Sequence, residues 1–252
     1  MINKIDHKVA EFFHKIYLWG GEIANKGMEL ISFIAEAGIL FLLIGLALAL
    51  FKRTRKIGGT ILLSVAIGFI ITNIILKPII ARARPFEGIG TDYYKWWLDA
   101  GMTRESGHSF PSGHTTATTA FALAIFLTTN KKYSWPILTL PILMASSRIY
   151  LMVHYFSDCL GGIAVGCVSA VIAWLVAIFI YKSKLKFCVW IRDLEIIKSG
   201  TTKKAPTAQQ EPQLETAKSN PEEDYVYVRQ ADEVPVEQNN AISAENNINT
   251  NE

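Results

Sequence analysis

Long apolar stretches constrain this chain more than any other feature of its sequence. Five of them are close to or above the roughly 20 residues that a helix needs to cross a bilayer. They cover residues 29–51, 57–76, 113–129, 134–152 and 159–181. With 50% hydrophobic residues and a net charge of +3, the chain is too apolar for an ordinary soluble domain and too neutral to indicate nucleic-acid binding. The sequence therefore predicts an all-α fold, a polytopic membrane helix bundle with about five transmembrane helices.

The third stretch is the least apolar, because residues 113–129 carry a histidine and many threonines. Threonine hydroxyls can bond back to carbonyls of their own helix, so this segment can still span a membrane against neighbouring helices.

Both ends of the chain differ from its middle in amino-acid composition and pattern. Residues 1–27 alternate apolar and charged side chains at helical spacing, which predicts an amphipathic helix on the membrane surface; a soluble N-terminal cap is the alternative. Residues 28–190 would form the membrane-embedded domain. Residues 199–252 are rich in Gln, Asn, Glu and Pro and carry four basic against ten acidic side chains. Such a composition predicts a disordered acidic tail.

Basic residues cluster where the predicted spans meet, and they predict a topology. Three groups of them face the cytoplasm if the positive-inside rule holds. The acidic tail is then cytoplasmic, and the connections 77–112 and 152–158 face outward together. The three groups are Lys52, Arg53, Arg55 and Lys56, then Lys131 and Lys132, and finally Lys182, Lys184 and Lys186.

The outward connections hold the unusual polar residues of the membrane part, in the stretches "KPIIARARP", "FPSGH" and "SRIYLMVHYFSD". Each has an ordinary explanation alone. Lys77 can be a snorkelling anchor, His114 can follow a helix N-cap at Ser112, and His154 can form a structural pair with Asp158. Independent anchors have no reason to gather on one membrane face, however. Cations, two histidines and a carboxylate together predict a reaction centre for an anion, most naturally phosphate.

The backbone at "PSGH" supports a phosphate site if a helix begins there. Gly113 lets the chain approach closely, and the free N–H groups and dipole of a helix N-terminus favour an anion. Two histidines suit phosphoryl transfer through a covalent intermediate, in which one attacks phosphorus and the other protonates the leaving oxygen.

Three motifs carry a resemblance to a known family. They are Lys77 with Arg84 and Pro85, then Pro111 to His114, and then Ser147, Arg148, His154 and Asp158. Over residues 28–181 the chain resembles the type 2 phosphatidic acid phosphatase family, which is related to the vanadium haloperoxidases. The resemblance implies a metal-independent lipid phosphate phosphatase without a cofactor. Many bacterial members have six spans, and here the amphipathic N-terminal segment replaces the first.

The resemblance also implies a role for each motif residue. His154 would be the nucleophile that forms a phosphohistidine, Asp158 would orient and charge His154, and His114 would be the general acid. The phosphate would be held by Lys77, Arg84, Ser112, Gly113 and Arg148.

The substrate follows from the expected place of the site at the outer (periplasmic) face of the cell membrane, beside the bilayer. Undecaprenyl diphosphate, phosphatidic acid and phosphatidylglycerol phosphate all fit a site beside lipid tails. Three further cations, Arg82, Lys95 and Arg104, slightly favour a diphosphate. Two alternatives stay open, a lipid phosphotransferase and a non-catalytic protein that binds or transports lipid phosphates.

Overall fold

The computed structural model describes residues 2–34 and 38–193, and all regular secondary structure in these two ranges is helical. The prediction of an all-α fold is confirmed for this part of the chain. The described residues belong to the first of the two units into which the chain divides, Met1–Thr201. The predicted acidic tail, residues 199–252, lies outside the described residues.

The described ranges contain ten α-helices, with a π-helical segment and two 3₁₀ turns between some of them. In chain order the α-helices are α1 (Ile2–Ile34), α2 (Ile39–Leu50), α3 (Arg55–Phe69), α4 (Lys77–Ile80), α5 (Asp92–Asp99), α6 (Gly113–Thr128), α7 (Lys131–Ser134), α8 (Thr139–Tyr150), α9 (Phe156–Lys182) and α10 (Lys186–Asp193). The π-helical segment Ile70–Leu76 joins α3 directly to α4, and the 3₁₀ turns are Pro85–Glu87 and Trp135–Leu138.

Helix α1 is longer than the predicted amphipathic segment and continues through the predicted boundary after residue 27. It bends at Gly21, whose φ of 53° is a conformation that only glycine adopts readily. Its inner face carries Phe13 and Tyr17, which pack against a buried cluster of Tyr150, Leu151 and Val153 at and after the end of α8. Large apolar side chains remain exposed along the other faces, among them Ile2, Ile5, Phe12, Trp19 and Ile23. The side of helix α1 that carries Phe13 and Tyr17 is therefore built into the bundle, and its other faces keep large apolar side chains exposed.

Two of the five predicted spans are not single helices. The predicted span 29–51 is divided, because residues 29–34 end α1 and Gly38 has a left-handed backbone with φ of 69° before α2 begins. Helix α2 has 12 residues, a length of about 18 Å. The predicted span 134–152 contains the turn Trp135–Leu138, where Pro136 has no N–H to donate to a helix.

Within the described residues, two stretches are long and apolar enough to cross a membrane. They are Arg55–Glu87 and Phe156–Lys182, whose most apolar windows have mean hydropathies of 2.3 and 2.7. The core between the helices is apolar, and the rings of Phe41 in α2 and Phe121 in α6 stack there with centroids 4.4 Å apart.

Small residues bring α9 very close to α6. A Cβ on Gly166 would lie 2.5 Å from the Cβ of Thr119, and one on Gly162 would lie 2.7 Å from the carbonyl oxygen of Ser112. The hydroxyl of Thr119 donates to the carbonyl of Thr115 over 2.7 Å, so it needs no partner outside its helix. This close packing sets the first turns of α6 and α9 beside each other, and the backbone N–H of Ser112 donates to the carbonyl of Asp158 over 3.0 Å.

Candidate active site

The three motifs meet at one cavity of about 210 Å³. Lys77 reaches it from the start of α4, His114 from the first turn of α6, and His154 from the loop between α8 and α9. Polar lining also comes from Asn73, Glu105 and Ser106. The remaining wall is largely apolar and includes Val65, Phe69 and Ala117. The cavity therefore joins a charged end to an apolar side.

A sharp turn after α8 brings His154 to this cavity. Met152 has a left-handed backbone with φ of 54°, a conformation that costs a non-glycine residue roughly 1 kcal/mol or more. Its side chain is buried in a cluster with Ala10 and Trp97, which offsets that cost. The N–H of Val153 then donates to the carbonyl of Arg148, 3.3 Å away, and the chain turns back toward α9.

The two ring nitrogens of His154 face different groups. Nδ1 lies 3.6 Å from Oδ2 of Asp158 and 3.5 Å from the hydroxyl oxygen of Ser109. Nε2 lies 3.4 Å from Nη1 of Arg84. Because a guanidinium can only donate, this geometry assigns the ring proton to Nδ1 and the lone pair to Nε2. The nitrogen suited to attack phosphorus therefore faces the cationic side of the site.

Burial is the main cause that lowers the pKa of His154 to about 4. The positive charges of Arg148 and Arg84 add to the effect, and the interaction with Asp158 opposes it. The imidazole is consequently unprotonated at neutral pH, which is the form that a nucleophile requires.

Asp158 is fully buried in the first turn of α9 and accepts three hydrogen bonds. The hydroxyl of Ser109 donates to Oδ2 over 2.5 Å, the N–H of Tyr155 donates to Oδ2 over 2.9 Å, and Nη1 of Arg82 donates to Oδ1 over 2.6 Å. The expectation that Arg82 holds a second phosphate is therefore wrong. Its other nitrogen, Nη2, donates to Asp6 of α1 over 2.9 Å, so both ends of the guanidinium bind carboxylates.

Arg84 and Arg148 are both 1% exposed, and both hold neighbouring backbone or side-chain groups in place. Arg84 donates to the carbonyls of Gly107 at 2.9 Å, Val153 at 3.0 Å and Ser106 at 2.8 Å. Arg148 donates to the hydroxyl of Ser32 in α1 and to the carboxylate of Glu105. The two arginines thus order the loops around the cavity.

Glu105 is a site residue that sequence reasoning did not single out. Its carboxylate is bound by Arg148, lies 3.6 Å from Nη2 of Arg84 and lies 3.8 Å from Nδ1 of His114. Burial raises the pKa of Glu105, but the positive charge of Arg148 foremost, together with Arg84, lowers it below its usual value. An ionised carboxylate therefore lies among the cations that, by the resemblance, would bind the phosphate. Its position shortly before "PSGH", in a loop predicted to face outward, was the one signal in the sequence.

The first turn of α6 lies close to Lys77. Ser112 is the N-cap of this helix, and its hydroxyl oxygen accepts from the N–H of Thr115 at 3.5 Å and from the hydroxyl of Thr115 at 3.0 Å. The explanation of Ser112 as an N-cap is thus confirmed. A Cβ on Gly113 would lie 3.8 Å from Nζ of Lys77, so the ammonium group and the helix N-terminus face the same space. Both favour an anion there.

A second cavity, of about 410 Å³, adjoins the first and shares Glu105, Ser106 and His114 with it. Arg148 and Arg104 line this second cavity, whereas Lys77 and His154 line the first. Lys95 is exposed on α5 and lies 3.9 Å from Asp92. Of the three further cations in the sequence, Arg104 is the one that lines either of these two cavities.

The described helices bring a lysine and two histidines to one cavity and set two buried arginines and a paired carboxylate beside it, an arrangement suited to binding phosphate. The family model described as the PAP2 superfamily matches residues 57–182, which is half of the chain. This protein belongs to the PAP2 superfamily. Sequence reasoning had indicated the same family through its three motifs.

Curated relatives are similar over the same region. The lipid A 4′-phosphatase of Porphyromonas gingivalis is 35% identical over 134 residues, which cover 52% of this chain and 52% of the relative. The undecaprenyl-diphosphatase of Sulfolobus acidocaldarius is 31% identical over 120 residues, 47% of this chain and 54% of the relative. The chain thus spans about half the length of these relatives.

A solved structure shares the fold. It is the crystal structure of a transmembrane PAP2-type phosphatidylglycerolphosphate phosphatase from Bacillus subtilis, which superposes with a TM-score of 0.53 at 23% identity. The match covers 74% of this chain and 89% of that structure.

Proposed function

We propose that this protein is an integral-membrane lipid phosphatase that hydrolyses a phosphomonoester or diphosphate of a membrane lipid. The observation that carries the proposal is the cavity where Lys77, His114 and His154 meet beside an apolar wall. The charged end suits a phosphate and the apolar side suits a lipid tail. Membership of the PAP2 superfamily and relatives named as lipid phosphatases support the same activity.

In the first step, Nε2 of His154 attacks phosphorus in line with the leaving oxygen. The P–N bond forms as the P–O bond to the lipid breaks, and His114 gives its proton to the departing oxygen. Lys77 and the N–H groups at the start of α6 stabilise charge on the other phosphate oxygens. Arg84 and Arg148 do the same once the phosphate has displaced the Glu105 carboxylate from them. Asp158 stabilises the positive charge that develops on the His154 ring.

In the second step, His114 acts as a base and takes a proton from water. The water oxygen attacks phosphorus, the P–N bond breaks, and inorganic phosphate leaves with His154 restored to its starting form. Side chains and a helix N-terminus supply the positive charge, so this reaction needs no metal ion.

The proposed substrates are undecaprenyl diphosphate, phosphatidic acid and phosphatidylglycerol phosphate. We place the chain in the cell membrane, with about five crossings, the site at the outer face and the acidic tail in the cytoplasm. The basic connections support this orientation by the positive-inside rule. The phosphotransferase alternative uses the same first step. It differs in the second step, where another lipid and not water accepts the phosphoryl group.

The test is phosphate release from these three lipids by purified protein in EDTA, with His154→Ala as the control. We expect wild-type protein to release inorganic phosphate from at least one lipid and His154→Ala to release none. Transfer of the phosphoryl group to another lipid would establish the phosphotransferase instead. Binding without turnover of any of the lipids would leave only the non-catalytic alternative.

A further inference from the structure

We infer that Asp6, in the N-terminal helix α1, is a positioning residue for the pair His154 and Asp158, and that it acts through Arg82. The inference rests on the proposed function. Asp6 lies far in the chain from the three motifs and outside residues 57–182, which the family model matches. It is nonetheless 1% exposed, and a carboxylate buried so deeply must be closely paired.

Asp6 accepts three hydrogen bonds, all from residues that adjoin the catalytic pair. Oδ1 accepts from the backbone N–H of Ser157 over 2.8 Å. Oδ2 accepts from the hydroxyl of Ser157 over 2.7 Å and from Nη2 of Arg82 over 2.9 Å. Both oxygens are therefore used, and both point toward the start of α9.

Arg82 carries the effect from Asp6 to Asp158. While Nη2 binds Asp6, Nη1 donates to Oδ1 of Asp158 over 2.6 Å and to the hydroxyl of Ser157 over 2.7 Å. The guanidinium also lies over the ring of Tyr155, 3.9 Å from the centroid. Without Asp6, both Nη groups could pair with Asp158. A bidentate pair would turn that carboxylate away from Nδ1 of His154.

The contact with Ser157 fixes the helix that bears Asp158. The first N–H groups of a helix have no intrahelical acceptor and are usually satisfied by a short polar side chain at the N-cap. The N-cap residue of α9 is Tyr155, and its side chain makes no such bond. Asp6 supplies the missing acceptor for Ser157 from another helix, so α1 sets the orientation of the turn that holds Asp158.

These contacts predict whether loss of Asp6 will change kcat or KM. Asp6 touches neither the cavity residue Lys77 nor the buried Arg148, which are assigned to phosphate, but reaches the nucleophile through Asp158. Loss of Asp6 should therefore slow the chemical step and leave substrate binding almost unchanged.

The test compares Asp6→Asn with Glu11→Gln, another carboxylate of α1, whose side chain is 43% exposed and pairs with Lys15 at 2.9 Å. Full-length proteins are assayed on a lipid phosphate that the wild type hydrolyses. We expect Asp6→Asn to lose about tenfold in kcat with KM within about twofold of wild type. Glu11→Gln should behave as wild type. Asp6→Glu, which keeps the charge, should retain more kcat than Asp6→Asn.

A double-mutant cycle tests the route through Arg82. Because Asp6 also binds Ser157, Asp6→Asn combined with Arg82→Gln should lose more kcat than Arg82→Gln alone but clearly less than the product of the two single losses. The inference is overturned by multiplied losses, by a wild-type kcat in Asp6→Asn, or by failure of both Asp6 variants to fold, judged by thermal unfolding in the same detergent. Absence of His154-dependent turnover in the wild type would instead refute the proposed function.

Discussion

At the scale of single residues, the proposed function gives the two histidines separate tasks that can be measured separately. His154 presents Nε2 to the cations, while His114 lies beside Glu105 at the border of both cavities. A nucleophile is needed whatever the leaving group is, whereas a general acid matters most when the leaving group is poor. The substrate can therefore distinguish the two roles.

We expect His154→Ala to be inactive on a lipid phosphate and on p-nitrophenyl phosphate alike. His114→Ala should lose much activity on the lipid, whose alkoxide leaves poorly, and markedly less on the aryl phosphate. Steady-state rates on both substrates make the comparison, and wild-type turnover of the aryl phosphate is the control that it reaches the site. Equal losses for His114→Ala on the two substrates would mean that His114 chiefly binds phosphate.

Glu105 leads to a second prediction at this scale. Its carboxylate holds Arg148 and lies near Arg84, so a phosphate that binds these arginines must displace it. A neutral amide is a weaker competitor, so Glu105→Gln should lower the inhibition constant for inorganic phosphate by about fivefold. Asp92→Asn is the control, because that exposed carboxylate pairs with His7 on the surface. An unchanged or raised constant would show that Glu105 does not compete with phosphate.

At the scale of helices, the position of Asp158, the carboxylate proposed to assist His154, depends on close contact between α6 and α9. The glycines of α9 permit this contact, and the first turn of the same helix holds Asp158. Any side chain added at the contact must push the two helices apart or distort them.

Gly166→Ala should lower the thermal unfolding midpoint, because its Cβ would lie 2.5 Å from that of Thr119 and 2.8 Å from the carbonyl oxygen of Thr116. Overpacking of this kind costs about 1–3 kcal/mol. The matched control is Gly59→Ala in α3, where a new Cβ would meet nothing within 4 Å. That change should stabilise the helix by up to about 1 kcal/mol. Equal midpoints for the two variants would show that α6 and α9 tolerate separation.

At the scale of the whole molecule, the orientation in the membrane decides which compartment the site serves. The prediction from the basic connections puts position 95 outside and position 132 in the cytoplasm. The side chain of Lys95 is 66% exposed, and Lys132 is also exposed, so both positions are accessible to a reagent.

Single cysteines at these two positions, in a chain without Cys159, Cys167 and Cys188, provide the measurement. In intact cells an impermeant thiol reagent should label Lys95→Cys and leave Lys132→Cys unlabelled until the cells are opened. Labelling of position 132 with position 95 protected would place the site on the cytoplasmic side.

Much of the candidate site could be predicted because its signals are local in the sequence. The spacing within each motif and the apolar stretches between them indicated that Lys77, His114 and His154 would meet, and these residues line one cavity. The threonines of residues 113–129 were expected to bond within their own helix, as Thr119 does. Apolar length and helical periodicity depend on near neighbours, so they also predicted the all-α fold.

Only the tertiary structure decided which charges pair. Arg82 is one of the three further cations that slightly favour a diphosphate in the sequence, yet it bridges Asp158 and Asp6, each 76 residues away. Asp6 shares a face of α1 with the packed residues Ala10 and Phe13, but nothing near it in the sequence indicates which residue it pairs with. The partner of a buried charge depends on which helices pack together, and this in turn depends on contacts between residues as distant as Asp6 and Ser157, 151 positions apart.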